Sequence, residues 1–249
     1  MIPLPPITAW KSGSFHRMPI LTGFNANEGS IFIPSHASKS QDFTDFFRLL
    51  LPSLPKADLV ILNEVYPDPL LGKDGRYKEN NPALGAQFMR LEQAYGDFAY
   101  VAPVLQTASF ASNSSSENGS EEGPPVYLYK FALPTNETMG AYHGSHSPFI
   151  TRNPEVDSMS ETVREISEMM HGYWTSFILT GDPNAVKGVR ERVEWPSYNE
   201  EEGKMLVFGE GNRQVVGGVE KGDVAKVVGM EELRRECGFW MERTDLFES

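Results

Sequence analysis

Residues 17–32, RMPILTGFNANEGSIF, join a short apolar run to a polar turn within sixteen positions. The run RMPILTGFN (17–25) reads as a buried β-strand that ends where Gly23 and Asn25 supply turn chemistry. A parallel strand is buried on both faces, so a compact apolar block suits one better than an alternating pattern does. The polar segment behind it carries a carboxylate, Glu28, immediately before Gly29. Loops after strands hold functional side chains on a rigid scaffold, although a lone Glu-Gly pair is more simply a solvated turn.

Further along, QDFTDFFRLLL (41–51) and KADLVILNEVY (56–66) have helical apolar spacing, the second stopped by Pro67 and Pro69. Residues 83–111 are helical in pattern, with Gly96 and Pro103 expected to interrupt them. A polar, low-complexity stretch at about 112–125 is expected to be a flexible surface loop, because it has no apolar side chains to bury. VYLYKFA (126–132) is the clearest strand, rich in aromatic and β-branched residues. The next helix runs through VREISEMMHGYWTSFIL, with Ser158 and Glu161 as an expected capping box and Gly181 and Pro183 as its stop. KMLVFGE (204–210) is a third strand, and a helix around 231–243 follows. Strands separated by helices predict an α/β domain with a largely parallel sheet. Three strands make that sheet thin for its length.

The composition excludes several function classes. A net charge of −12 over 249 residues, with no basic stripe, argues against a phosphate-binding surface and so against nucleic acid. No apolar run approaches the ~20 residues of a membrane helix. The stretch MIPLPPITAWKSGSFHR (1–17) lacks the basic start and apolar core of a signal peptide. The single cysteine, Cys237, allows no internal disulfide and no cysteine-built metal site, and is expected to be a buried small hydrophobe.

The second candidate stretch is AYHGSHSPFI (141–150), which places two of the five histidines, His143 and His146, three positions apart. No nearby carboxylate or cysteine completes a metal ligand set, so no metal is expected. His16, His36 and His171 have no motif around them, and Trp174, Phe177, Trp195 and Trp240 read as core packing.

Four islands in order carry a resemblance. MPILTGFNANEGSIFI (18–33), YHGSHSPFI (142–150), YWTSFILTGDPN (173–184) with WPSY (195–198), and RRECGFW (234–240) together resemble the carboxy-terminal part of the type-B carboxylesterase and lipase family, which includes the cholinesterases. The resemblance implies the C-terminal portion of an α/β-hydrolase fold, the last strands of a mostly parallel sheet with flanking helices, with residues 1–249 belonging to one such domain. It also implies serine-ester chemistry with a Ser–Glu–His triad, no cofactor, and a small-molecule carboxylic ester as substrate. Glu28 matches the family's triad acid and His143 its triad base. The family has an acidic residue three positions after the base, where this chain has His146, which is read as a bystander in the loop. Phe149 matches an aromatic position and is a candidate for the substrate pocket. Cys237 matches a cysteine that is often disulfide-bonded in the family, but the partner position is Ala102, so that bridge is not expected.

The residue order agrees with the chemistry. In such folds the acid follows one strand and the base a later one. Glu28 follows the first predicted strand and His143 the second. What the chain does not contain is the nucleophile. No serine has glycines two positions before and two after it, and there is no His-Gly-Gly-Gly run for oxyanion donors. The chain therefore reads as the half with acid and base and without the serine, whose isolated form is expected to be inactive. Its missing partner is the amino-terminal half of the domain, as part of a longer gene product or as a separately encoded piece. The alternative is a non-catalytic cholinesterase-like binding or adhesion module. Asn113, Asn118 and Asn136 head Asn-x-Ser/Thr sequons, which suit a secreted protein but do not fix the compartment.

Overall fold

Alternate residues of one strand enter two different cores, and this organises the molecule. Val126 and Leu128 face a core built with helices on one side of the sheet, while Tyr127, Tyr129 and Phe131 face a second core on the other. Such a strand is central and covered on both faces. The computed structural model describes residues 4–71, 76–79, 81–113, 123–188 and 191–246.

The described residues contain a four-stranded sheet in the order β1 (Ile20–Asn25), β2 (Val126–Phe131), β3 (Lys204–Phe208) and β4 (Ala225–Gly229). The first three strands are parallel, and β4 runs antiparallel to β3. β1 is registered on β2 with Gly23 opposite Tyr129. A Cβ at Gly23 would come within 2.2 Å of the Tyr129 carbonyl oxygen, so only glycine lets the strands approach here. The outer edge of β1 has no strand partner among the described residues.

The helices are α1 (Pro6–Lys11), α2 (Ser40–Leu50), α3 (Lys56–Val65), α4 (Phe88–Gly96), α5 (Ala102–Ser112), α6 (Ser147–Ile150), α7 (Pro154–Asp157), α8 (Glu161–Thr180) and α9 (Glu231–Met241). The first core packs Phe43 and Phe47 of α2, Leu59 and Leu62 of α3, Leu91 and Ala94 of α4, Leu105 of α5 and Trp240 of α9 against the sheet. The second packs Val163, Ile166, Met170 and Tyr173 of α8 around Trp195. Trp195 also donates its Nε1–H to the Leu128 carbonyl of β2 at 3.0 Å. Asn184, just after the helix stop, brackets the Trp195 backbone with two 2.9 Å bonds, donating to its carbonyl and accepting from its N–H. This is what the spaced GDPN and WPSY segments accomplish physically.

Several expectations are corrected. β4 is a fourth strand. The segment 97–101 does not break at Gly96: the chain passes directly from α4 into a π-helical turn (Asp97–Val101) and on into α5. Pro103 is the second residue of α5, directly after the π turn, and the helix continues through it. The cap of α8 is Ser160, which accepts from the Val163 N–H at 3.2 Å. Ser158 instead donates to the Glu155 carbonyl at the end of α7. Gly181 closes α8 at φ +77°, as expected. Of the proposed loop at 112–125, residues 114–122 lie outside the described residues, and with them Asn118.

Candidate active site

Two loops, each following a parallel strand, are stitched side by side. The Asn27 N–H donates to the Ala141 carbonyl at 3.0 Å, and the Asn27 side-chain oxygen accepts from the Ala141 N–H at 3.0 Å. Asn25, 1% exposed, donates through Nδ2 to the Tyr142 carbonyl at 2.5 Å and to Ser145 Oγ at 3.3 Å. Ser30 Oγ lies 3.0 Å from the Met139 carbonyl. The residues on both sides of Glu28 are therefore fastened to residues on both sides of His143. Neither loop has to rely on its own stiffness.

Glu28 is 5% exposed. Its Oε1 accepts the Asn25 backbone N–H at 2.6 Å, and its Oε2 lies 2.6 Å from His143 Nδ1. A carboxylate in this position accepts a hydrogen bond from the Nδ1–H and fixes the imidazole in one tautomer. The His143 side chain is 43% exposed. Its ring packs on Tyr100 of the π turn, with centroids 4.4 Å apart and planes at 33°, and on Phe32 at 5.6 Å and 59°. Nε2 has no hydrogen-bond partner among the described residues.

Beneath the acid turn, α4 comes unusually close. A Cβ on Gly96 would lie 3.4 Å from the Glu28 Cβ and 3.2 Å from the Gly29 nitrogen. Two further acids line this helix and turn, and both are fully buried. Glu92 is pushed up to about 8, chiefly by desolvation, with the nearby Asp97 charge adding to it and the Asn27 hydrogen bond opposing it. Asp97 is pushed up to about 7, again by burial first, although Tyr66 and Gln93 donate to its two oxygens at 2.8 Å each.

The remaining site expectations divide. His146 Nε2 lies 3.3 Å from the Tyr129 hydroxyl, its Nδ1 is buried without a partner among the described residues, and burial lowers its pKa. It stands in the loop near His143, outside the hydrogen-bonded pair. No group of three or more potential metal ligands occurs among the described residues. Phe149 is 2% exposed and packs on Phe131 at 4.9 Å within the second core. Trp195 and Trp240 are buried, and Trp174 and Phe177 pack against the second core. Cys237 is fully buried and free. The Asn113 side chain is hydrogen-bonded to Glu200, and Asn136 is exposed. No helix among the described residues is long and apolar enough to cross a membrane. The sequence reading took Asn25 as a strand-ending turn residue only, and passed over Glu92 and Tyr100. Only Asn25 had a local signal, as a polar side chain ending a buried strand.

The sequence profile of the carboxylesterase family matches residues 1–227. Secreted lipase 4 of Gibberella zeae is 30% identical over 231 residues, covering 92% of this chain and 36% of that protein. Acetylcholinesterase of Electrophorus electricus is 28% identical over 243 residues, covering 83% of this chain and 37% of that one. The chain thus spans little more than a third of the length of these relatives. The crystal structure of Aspergillus niger EstA superposes with a TM-score of 0.73 at 24% identity, over 97% of this chain and 43% of EstA, and shows the shared α/β-hydrolase fold. With its mostly parallel sheet and its profile match over most of its length, the chain is a member of the carboxylesterase family.

Proposed function

We propose that this chain supplies the acid and base of a serine carboxylesterase acting on small-molecule carboxylic esters, as the C-terminal portion of one catalytic domain. The observation that carries the reading is the 2.6 Å contact between Glu28 Oε2 and His143 Nδ1, made across 115 positions. With the Nδ1 proton held by Glu28, the Nε2 lone pair is the base. It takes the proton of a serine hydroxyl as that oxygen attacks the ester carbonyl, and returns the proton to the leaving alcohol. Water then repeats the sequence on the acyl-enzyme. Buried Glu28 stabilises the imidazolium formed in each half-reaction.

The nucleophile and the oxyanion donors come from polypeptide outside these 249 residues. No serine here has the Gly-x-Ser-x-Gly setting that aims a hydroxyl at the base. Each missing oxyanion donor removes about 3–4 kcal/mol of transition-state stabilisation. The outer edge of β1, unpaired among the described residues, and the exposed Ile31 and Phe32, the latter packed on His143, suit a segment that continues the sheet and covers the site.

The test is hydrolysis of a p-nitrophenyl ester. The purified chain is expected to be silent. The same chain joined to a Gly-x-Ser-x-Gly-bearing amino-terminal half of a relative is expected to turn over, and His143→Ala to abolish it. Turnover by the chain alone, lost in His143→Ala, would overturn the need for an external serine. An active joined enzyme indifferent to His143→Ala would overturn the acid–base assignment.

A further inference from the structure

Tyr100 makes the closest ring contact to His143, closer than Phe32 does. The three rings touch one another, since Phe32 and Tyr100 lie 5.7 Å apart with planes at 27°. Tyr100 reaches this place through the π turn. Asp97, at the start of that turn, is buried and anchored by Tyr66 and Gln93, while Tyr100 is only partly buried. The widened turn lets one short segment serve the core with its first residue and the histidine with its fourth. The Tyr100 hydroxyl has no hydrogen-bond partner among the described residues, so the phenol acts here through its face.

We propose that Tyr100 is a positioning residue for His143, backing the imidazole with its ring face so that the ring stays in the plane set by Glu28 and its protonated form is favoured. The inference rests on the acid–base reading above. A cation over a tyrosine face is attracted by the ring quadrupole. The imidazole becomes a cation each time it accepts the serine proton, so this attraction is stronger after proton transfer than before it. Such differential binding accelerates a step, where uniform binding does not. Burial raises the Tyr100 pKa, with the Tyr95 phenol and the Glu28 charge adding to it, which keeps the phenol neutral. The titratable groups facing His143 are Glu28 from the β1 loop, Tyr100 from the π turn and His146 from its own loop.

The experiment is NMR of the histidine rings in the isolated chain, with His143 assigned through His143→Gln. In the unsubstituted protein, cross-peaks between the His143 and Tyr100 ring protons are expected, and their absence would overturn the proposal without any substitution. Tyr100→Leu is expected to move the His143 ring protons downfield and to lower its titration midpoint, a proton affinity roughly 2- to 5-fold weaker. Tyr100→Phe keeps the face and is expected to keep both values. The proposal is overturned if Tyr100→Leu changes neither value, or if Tyr100→Phe behaves like it. The His171 resonances report folding of each variant, because its Nδ1 is held 2.9 Å from the Ile150 carbonyl, in contact with α8's own neighbour α6. Failure of the acid–base reading has a separate signature: a His143 midpoint insensitive to Glu28→Gln. Failure of the Tyr100 proposal leaves that sensitivity intact.

Discussion

Gly29 lies with its backbone against the carbonyl of Glu92: a Cβ built on it would come within 2.1 Å of that oxygen. The obstacle is helix backbone, which cannot swing aside as a side chain can. Gly29→Ala is therefore expected to push the acid turn away from α4 and to destabilise the chain by about 1–3 kcal/mol. Urea unfolding reads this as a lower midpoint. An unchanged midpoint would mean that the turn and helix are not in contact.

The two buried acids predict how stability depends on pH. Glu92 and Asp97 are raised to about 8 and about 7, from ordinary values of 4.5 and 3.8. The unfolded chain therefore releases these protons first, and the folded chain holds them longer. Stability from each acid is full below its ordinary value and is lost as pH rises through its folded value. Between pH 5 and 7 the folded chain is therefore expected to lose stability as the pH rises. Glu92→Gln is expected to flatten the slope of urea stability against pH by roughly its own share. A slope that Glu92→Gln does not alter would show that Glu92 ionises normally in the fold.

Cys237 predicts a simple chemical result. Burial, with the negative charges of Asp97 and Glu236, raises its thiol pKa, and the thiolate is the reactive form. A disulfide reagent such as DTNB is expected to find no reactive thiol in the native chain and one per chain in denaturant. Prompt native reaction would place the cysteine at the surface.

For the assembled enzyme, Glu28→Gln is the sharpest probe of the acid. A glutamine oxygen can still accept from the Asn25 N–H, so the turn is expected to stay folded. The imidazole loses its charged partner and its enforced tautomer, and kcat is expected to fall about 10³- to 10⁴-fold with KM little changed. A loss confined to KM would assign Glu28 to substrate binding instead.

Local and non-local determinants of this fold differ in how far the sequence displays them. β1, β2 and α8 were legible because their own residues carry the pattern: apolar blocks for the strands, and a 3.6-residue period closed by Gly181 for the helix. β4 was not, because Val227 and Val228 become a strand only by pairing with Leu206 and Met205 of β3. Gly96 and Pro103 read as breaks on propensity alone. The structure instead uses the first for a close approach to the acid turn and the second in a helix's first turn. Glu28 and His143 were visible through the family motifs. Tyr100 and Glu92 were not, because what each touches lies on another part of the chain and leaves no periodic trace.

The outer margin of β1, which no strand covers among the described residues, also bears on how the chain behaves when made alone. Edge strands of soluble proteins are commonly blunted by lysines, prolines or bulges. Between Ile20 and Phe24 this margin carries none of these, only Leu21, Thr22 and Gly23. Its outward amide groups form a template that any extended segment can join, including another copy's. Self-association through this strand will compete with assays run at high concentration.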